Sequence, residues 1–324
     1  MDTTPKTAVE IFDDQLTALE LLFATDLPGN TPGQRLNALG AAAKANPQLM
    51  ESLKGFLDNP IHFAMKFSSS ESSFNAIVRT LFATAARGAI HDYGPAGAPK
   101  NQHWMPVAYL SPFGERTGSG KNNRSVRVPG VSFADDLILG FEIRDSNFIH
   151  DKVKGAGFYE DGAEFFFCLV ENLYSQGRSR RDRPIDNCLV ALFFFVQSVR
   201  NPRRGKHFLH SRLCDIVDAV LANIDAVGPN LHTEFLKTSD AMPFTPYVPP
   251  FVDCFKGARV YSLPIEPKML FSISTKQLSD GAWRQIPARY RKAVIAQAFR
   301  RGKHVFGVHK DSIIGTLKKL GLTH

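Results

Sequence analysis

The sequence predicts a mainly α fold with minor β, a multi-helix globular protein, and three observations carry that expectation. Apolar residues recur at three- and four-residue spacing over several long stretches. Those stretches open on Thr, Asn or Pro, the residues that start helices, whereas alternating apolar pieces are few and short. The chain has 324 residues, 44% hydrophobic and 22% charged. That balance excludes disordered and collagen-like classes and leaves a core large enough to need no disulfide framework.

The elements follow in order. Thr4 as cap, Pro5 at the first helical position and Val9, Phe12, Leu16, Leu19 and Phe23 on one face predict an amphipathic helix over 4–23. Thr31-Pro32 opens a second helix and Asn46-Pro47 a third that ends before Asn59-Pro60. A fourth spans 70–87, with Phe74, Ile77, Val78, Leu81 and Phe82 on one side. Residues 1–88 are therefore expected to form an N-terminal helical lobe. Residues 89–160 read as a loop-rich segment with short strands, because glycine and proline interrupt apolar pieces such as 105–110. Within it, 116–127 combines Gly118, Ser119, Gly120, Asn122 and Asn123 with Arg116, Lys121 and Arg124, a flexible basic loop with almost nothing to bury. Residues 132–144 suit a strand or a short helix equally.

Residues 161–324 are expected to form a larger, basic, mixed but mainly helical C-terminal lobe. Helices are predicted over 162–174, 184–199, 206–226, 231–237, 287–301 and 310–320, and strands over 258–263 and 269–273. Prolines 243, 246, 249 and 250 force 242–250 into an extended strap, since proline fixes φ and removes a donor. The phenylalanines of 165–167 and 193–195 belong to the core, and Phe244, Tyr247 and Phe251 of the strap region are expected to pack in the core or between subunits, with stacking on bases or docking in a neighbour's groove as the alternative.

The longest apolar run, 188–196, is far shorter than the roughly 18 to 20 residues that span a bilayer. Residues 1–10 lack a basic start followed by an apolar stretch. The expectation is an intracellular protein without a signal peptide, in the cytoplasm or within a virion. Cys168, Cys188, Cys214 and Cys254 lie 20, 26 and 40 residues apart, without the tight pairing of a zinc site. They read as small buried hydrophobes in a reducing compartment, and neither cofactor nor metal is expected.

Net charge is +8, but it is unevenly placed: 161–324 holds 24 basic and 14 acidic residues, whereas 1–90 holds 7 and 9. A clustered positive field attracts polyanions. The strongest functional signal is a pair of basic clusters bracketing one apolar helix. Arg178, Arg180, Arg181 and Arg183 precede Pro184, and Arg200, Arg203, Arg204 and Lys206 follow Val199. Read as lying at the N-terminus of the helix over 184–199, the first cluster opposes the macrodipole, although Asp182 and Asp186 offset part of that. Sixteen helical residues would hold the clusters about 24 Å apart, enough to span several phosphates. A second basic stripe, Arg289, Lys292 and Arg300, is no more than an ordinary surface helix displays.

Several motifs resemble known chemistry in part. The stretch 307–317, with Gly307 at a turn and Ile313 and Leu317 six and ten positions later, resembles the turn and recognition helix of a helix-turn-helix. Its preceding half departs from the pattern at Gly302 and Lys303. Gly114 to Lys121 resembles a phosphate loop, but is one residue too long, and Asn122 stands where Ser or Thr would bind Mg²⁺. Phe133-Ala134-Asp135-Asp136 is similar to the paired-aspartate motif of reverse transcriptases, and Asp136, Glu142 and Arg144 echo a metal-dependent nuclease core. Arginine cannot serve there as a base. His207 and His210 stand one helical turn apart with no further ligand nearby.

The sequence thus points to a non-enzymatic nucleic-acid-binding protein that contacts the phosphate backbone of RNA or DNA with little sequence specificity. A self-assembling, coat-like nucleoprotein would use the same features as a homo-oligomer. The principal contacts are Arg178, Arg180, Arg181, Arg183, Arg200, Arg203, Arg204 and Lys206, with Arg116, Lys121 and Arg124 secondary. The alternatives are a sequence-specific DNA binder using the C-terminal helix-turn-helix and a metal-dependent nuclease, in which Asp135, Asp136 and Glu142 would supply the metal site.

Overall fold

The computed structural model describes residues 10, 14, 17, 27–45, 105–117, 125–134, 137–144, 161–181, 184–200, 213–227, 231–238, 241, 242, 244, 251–255, 257–277, 296, 304–307 and 310–321. In chain order the described elements are helices α1 (Pro32–Ala45) and α2 (Val107–Leu110), strands β1 (Glu115–Thr117), β2 (Ser125–Ala134) and β3 (Leu137–Arg144), helices α3 (Asp161–Arg180), α4 (Pro184–Val199) and α5 (Leu213–Val227), strands β4 (His232–Lys237), β5 (Phe251–Phe255), β6 (Ala258–Glu266), β7 (Met269–Ser274) and β8 (His304–Phe306), and helix α6 (Lys310–Lys319). They divide into two compact units, one from Met1–Gln102, Asp151–Val199 and Arg204–Leu231, the other from His103–His150, Arg200–Arg203 and His232–His324.

The expected mainly α fold with minor β is overturned. The described residues are mixed α and β, with two four-stranded antiparallel sheets beside the helices. Two segments account for much of the difference. The stretch predicted as a helix over 231–237 is strand β4, paired along its whole length with β7 from His232↔Ser274 to Lys237↔Met269. The stretch 132–144 falls in the hairpin of β2 and β3, whose register runs from Arg127↔Arg144 to Ala134↔Leu137. Intermediate sequence periodicity is decided here by cross-strand partners, which sheet propensity chiefly measures. The supposed flexible loop 116–127 also carries the facing ends of β1 and β2, with Val126 fully buried, and 107–110 is a helical turn.

The first unit is built around α4. Every residue from 188 to 200 is buried, so the helix is apolar on all sides because it is covered on all sides. It packs against α3 and α5, and α5 in turn packs against α1. Complete burial of Leu and Phe side chains contributes about 1.5–3 kcal/mol each. Tyr174 of α3 stacks on Phe193 of α4 with centroids 4.1 Å apart. Asn223 on α5 donates to Ser198 Oγ on α4 at 3.0 Å, giving a buried polar group a partner.

The start of α1 follows the sequence closely. Thr31 Oγ1 accepts from the amide of Gln34 at 3.2 Å, and Gln34 Oε1 accepts from the Asn30 amide at 2.8 Å, a variant of the capping box. Asp218 of α5 accepts from the Gly33 amide at 2.9 Å, a carboxylate against the positive end of the helix. Glu10, Asp14 and Thr17 are helical and exposed, the polar side of the helix predicted over 4–23.

In the second unit β3 occupies one edge of β2. Arg127 and residues 130–132 pair with β3, so β1, opposite 125–127, and β8, opposite 130–132, must share the other edge end to end. Helices α2 and α6 pack on β2. Phe244 and Phe306 exchange backbone hydrogen bonds, both 2.8 Å. Phe244 is 1% exposed and lies 4.5 Å from Phe113 and 5.5 Å from Tyr109, centroid to centroid, so it is core and not a base-stacking residue. The second sheet runs β4-β7-β6-β5, with every residue of β7 buried. Its register shifts between Pro264 and Glu266, where a proline is tolerable in a strand. There the Tyr109 hydroxyl donates to the Pro264 carbonyl at 2.7 Å.

Two outcomes follow. A Cβ on Gly177 would stand 2.7 Å from both the Asp186 carbonyl oxygen and Leu189 Cβ, so Gly177→Ala should lower unfolding free energy by about 1–3 kcal/mol. The same exchange in an open helix would raise it by about 1, and urea titration distinguishes the two signs. Tyr109→Phe, which removes the hydroxyl that donates to the Pro264 carbonyl, should cost about 1–2 kcal/mol in the same assay.

Candidate nucleic-acid interface

Helix α3 does not stop at Tyr174, where the apolar periodicity stops, but continues to Arg180, and Arg178 and Arg180 occupy its last turn. The first arginine cluster therefore stands at the C-terminal end of α3. There the macrodipole favours cations by about 0.3–1 kcal/mol each, the reverse of the destabilisation expected when the cluster is referred to α4 alone. The turn of helix that carries it is polar, and its buried position is Gly177, against which α4 crosses closely.

Arg181 ends the helix in the left-handed conformation, with φ of 59° and its amide donating to the Gly177 carbonyl at 3.2 Å. For a residue with a Cβ that conformation costs about 1–2 kcal/mol. Arg181 Nε donates to the Arg178 carbonyl, one of those that a helix end leaves without intrahelical partners. The guanidinium of Arg178 lies over the Tyr174 ring, 5.9 Å from its centroid, a cation–π contact to a ring that also stacks on Phe193. Arg178 and Arg181 are half-buried and Arg180 is exposed.

The electrostatics are those of crowded like charges. Burial lowers the proton affinity of Arg181, the neighbouring Arg178 lowers it further, and Tyr174 opposes both. Burial raises the Tyr174 phenol well above its usual range, against the pull of the two arginines. Tyr174 was not singled out in the sequence, although Tyr174 and Arg178 stand four apart and meet on any helix that includes both.

The other predicted contacts are placed as follows. Arg200 is 3% exposed, withdrawn from solvent. Arg116 is in β1, opposite Val126. Arg183, Arg203, Arg204, Lys206, Lys121 and Arg124 lie outside the described residues. The structure thus brings together Arg178, Arg180 and Arg181. The phosphate-loop resemblance gives way to a packing role: a Cβ on Gly114 would collide with the Arg127 carbonyl, and β1 starts at the next residue. Residues 304–306, just before Gly307, are strand β8, and the Gly307 amide donates to the Pro129 carbonyl at 3.1 Å; the rest of the segment that would hold the first helix of a helix-turn-helix, 297–303, lies outside the described residues. Leu317 of α6 is fully buried, and the helix docks on β2.

Asp135, Asp136, His207 and His210 lie outside the described residues, and Glu142 and Arg144 are in β3. Among the described residues no group of three His, Cys, Asp or Glu side chains could hold a metal ion. Cys188 and Cys214 are buried and Cys168 is half-buried. Burial pushes the Cys188 thiol up to about 12, helped by Asp186 and opposed by a backbone hydrogen bond, so it is protonated and unreactive near neutrality. No helix among the described residues is long and apolar enough to cross a membrane.

Compared with known proteins, the chain matches no protein-family model, no curated protein and no solved structure.

Cys188 and Tyr174 set an alkaline limit. Their native-state pKa values are raised above the unfolded ones, so each contributes stability that is whole below its unfolded pKa and is lost as pH rises through the native one. For Cys188 the window runs from 9.0 to about 12. The urea midpoint should fall between about pH 9 and about pH 12, and Cys188→Ala should make that fall shallower. An equal fall in the variant would show that Cys188 has no part in it.

Proposed function

We propose that this is a non-enzymatic protein that binds nucleic acid through phosphate contacts centred on Arg178, Arg180 and Arg181, with little sequence specificity. The observation that carries the reading is the convergence of three arginines on the end of one helix, with Arg180 exposed. The basic excess of 161–324 supports it, 24 cations against 14 anions. The electrostatics of Arg181 support it too: burial and then the charge of Arg178 lower its proton affinity, and a bound phosphate would oppose both.

Guanidinium groups suit this task because their planar fork matches phosphate oxygens and remains charged at any physiological pH. Contacts of this kind fix register on a strand without reading its bases. The free energy is largely that of counterion release, so affinity should depend steeply on salt. Arg200, buried after α4, is not among the contacts in this reading.

The test is titration of a labelled single-stranded oligonucleotide at several salt concentrations. Arg178→Ala with Arg180→Ala should weaken binding and reduce the slope of log K against log salt by about 1.4, two contacts at about 0.7 each. Lys318→Ala with Lys319→Ala, which removes two exposed cations from α6, should leave both affinity and slope near the parent values. Equal losses from the two double variants would reduce the effect to net charge and reject the site.

A further inference from the structure

Among the described residues, Arg181 is the one non-glycine residue with a positive φ. The same chain shows the ordinary way to end a helix. After α6, Gly321 takes the left-handed conformation with φ of 62°, and its amide donates to the Lys318 carbonyl at 2.9 Å. Glycine fits such a position without a Cβ clash, and asparagine tolerates it. At the end of α3 an arginine stands there instead.

The side chain returns something to the fold, since its Nε caps the Arg178 carbonyl. That carbonyl belongs to the last turn of a helix whose neighbours Ser179 and Arg180 are exposed, where water is an adequate substitute donor. The guanidinium also lies where burial and Arg178 both lower its proton affinity. Backbone strain and like-charge crowding thus fall on one residue, and that residue is one of the three that converge on the candidate interface. Strain concentrates where the surrounding fold holds a group for a purpose other than stability.

We infer that Arg181 is a specificity-determining ligand contact of the phosphate site, held there at the expense of fold stability. The inference rests on the phosphate-binding reading of the same cluster. The left-handed backbone ends α3 and the side chain folds back so that Nε donates to the Arg178 carbonyl, which keeps the Arg181 guanidinium within the field of Arg178. A lysine at 181 would keep the charge and lose the planar fork, so it should not restore binding. The ligand class is accordingly a phosphodiester strand whose phosphate oxygens take a planar two-pronged donor, rather than a partner that needs only positive charge.

The experiment uses the full chain with Arg181→Gly, Arg181→Asn and Arg181→Lys, read by thermal unfolding and by affinity for a labelled single-stranded oligonucleotide, with heparin as a sulfated comparison. Arg181→Gly and Arg181→Asn should raise the unfolding midpoint by about 2–4 °C while weakening oligonucleotide binding about tenfold. Arg181→Lys should leave oligonucleotide binding weak, and heparin binding, whose sulfate oxygens offer the same pair of acceptors to the fork, should stay weak with it. If the glycine and asparagine variants melt lower than the parent, Arg181 serves the helix end and the inference falls. It falls equally if they bind the oligonucleotide as well as the parent does, or if lysine restores binding fully. The parent reading fails separately, and takes the inference with it, if the unmodified protein binds no oligonucleotide at low salt.

Discussion

The first unit depends on the burial of α4. A helix covered on every side needs neighbours that approach closely, and α3 meets that need by presenting Gly177, where a Cβ would stand 2.7 Å from α4 atoms. This single approach has three results. It seals the N-terminal turn of α4, where Asp186 is fully buried in the favourable field of the helix amides. It brings Tyr174 onto Phe193. It also commits the last turn of α3 to a polar surface, because that turn has used a glycine rather than an apolar side chain to face the core.

That local arrangement explains both what the sequence discloses and what it conceals. The bounds of α4 are legible, since Pro184 is at the first helical position and an unbroken apolar run follows. The start of α1 is legible from Thr31-Pro32, and β6 and β7 lie where alternating apolar residues predict them. The end of α3 is concealed because residues 175–180 contain no apolar side chain to extend the helical period, the buried position being Gly177. Strand β4 is concealed for another reason. Leu231 and Phe235 stand four apart, as on a helix, and only the partner strand β7 reveals that they belong to an extended segment.

The candidate site was legible in composition and concealed in geometry. Arg178, Arg180 and Arg181 stand out by number alone, but the helix to which they belong, and hence the sign of the dipole acting on them, follows from where α3 ends. Nothing in the residue types announces the left-handed turn at Arg181, for which glycine or asparagine is the usual cue. Arg200 shows the converse. It belongs by sequence to a basic cluster, yet the fold withdraws it from solvent. A cluster of cations in a sequence is thus a statement about charge, and only the backbone decides which members face a ligand.

The shared edge of β2 has a consequence for synthesis. Its first partner on that edge, β1, precedes it by a few residues, but the second, β8, arrives only with residues 304–306, after the whole of the other sheet. Loop closure over such a separation is slow, and chains fold as they emerge from the ribosome. The helical unit has all its segments once residue 231 is out. The sheet of β2, by contrast, carries an open edge beside 130–132 until residues 304–306 have been made, a window in which another strand of similar pattern could take that place.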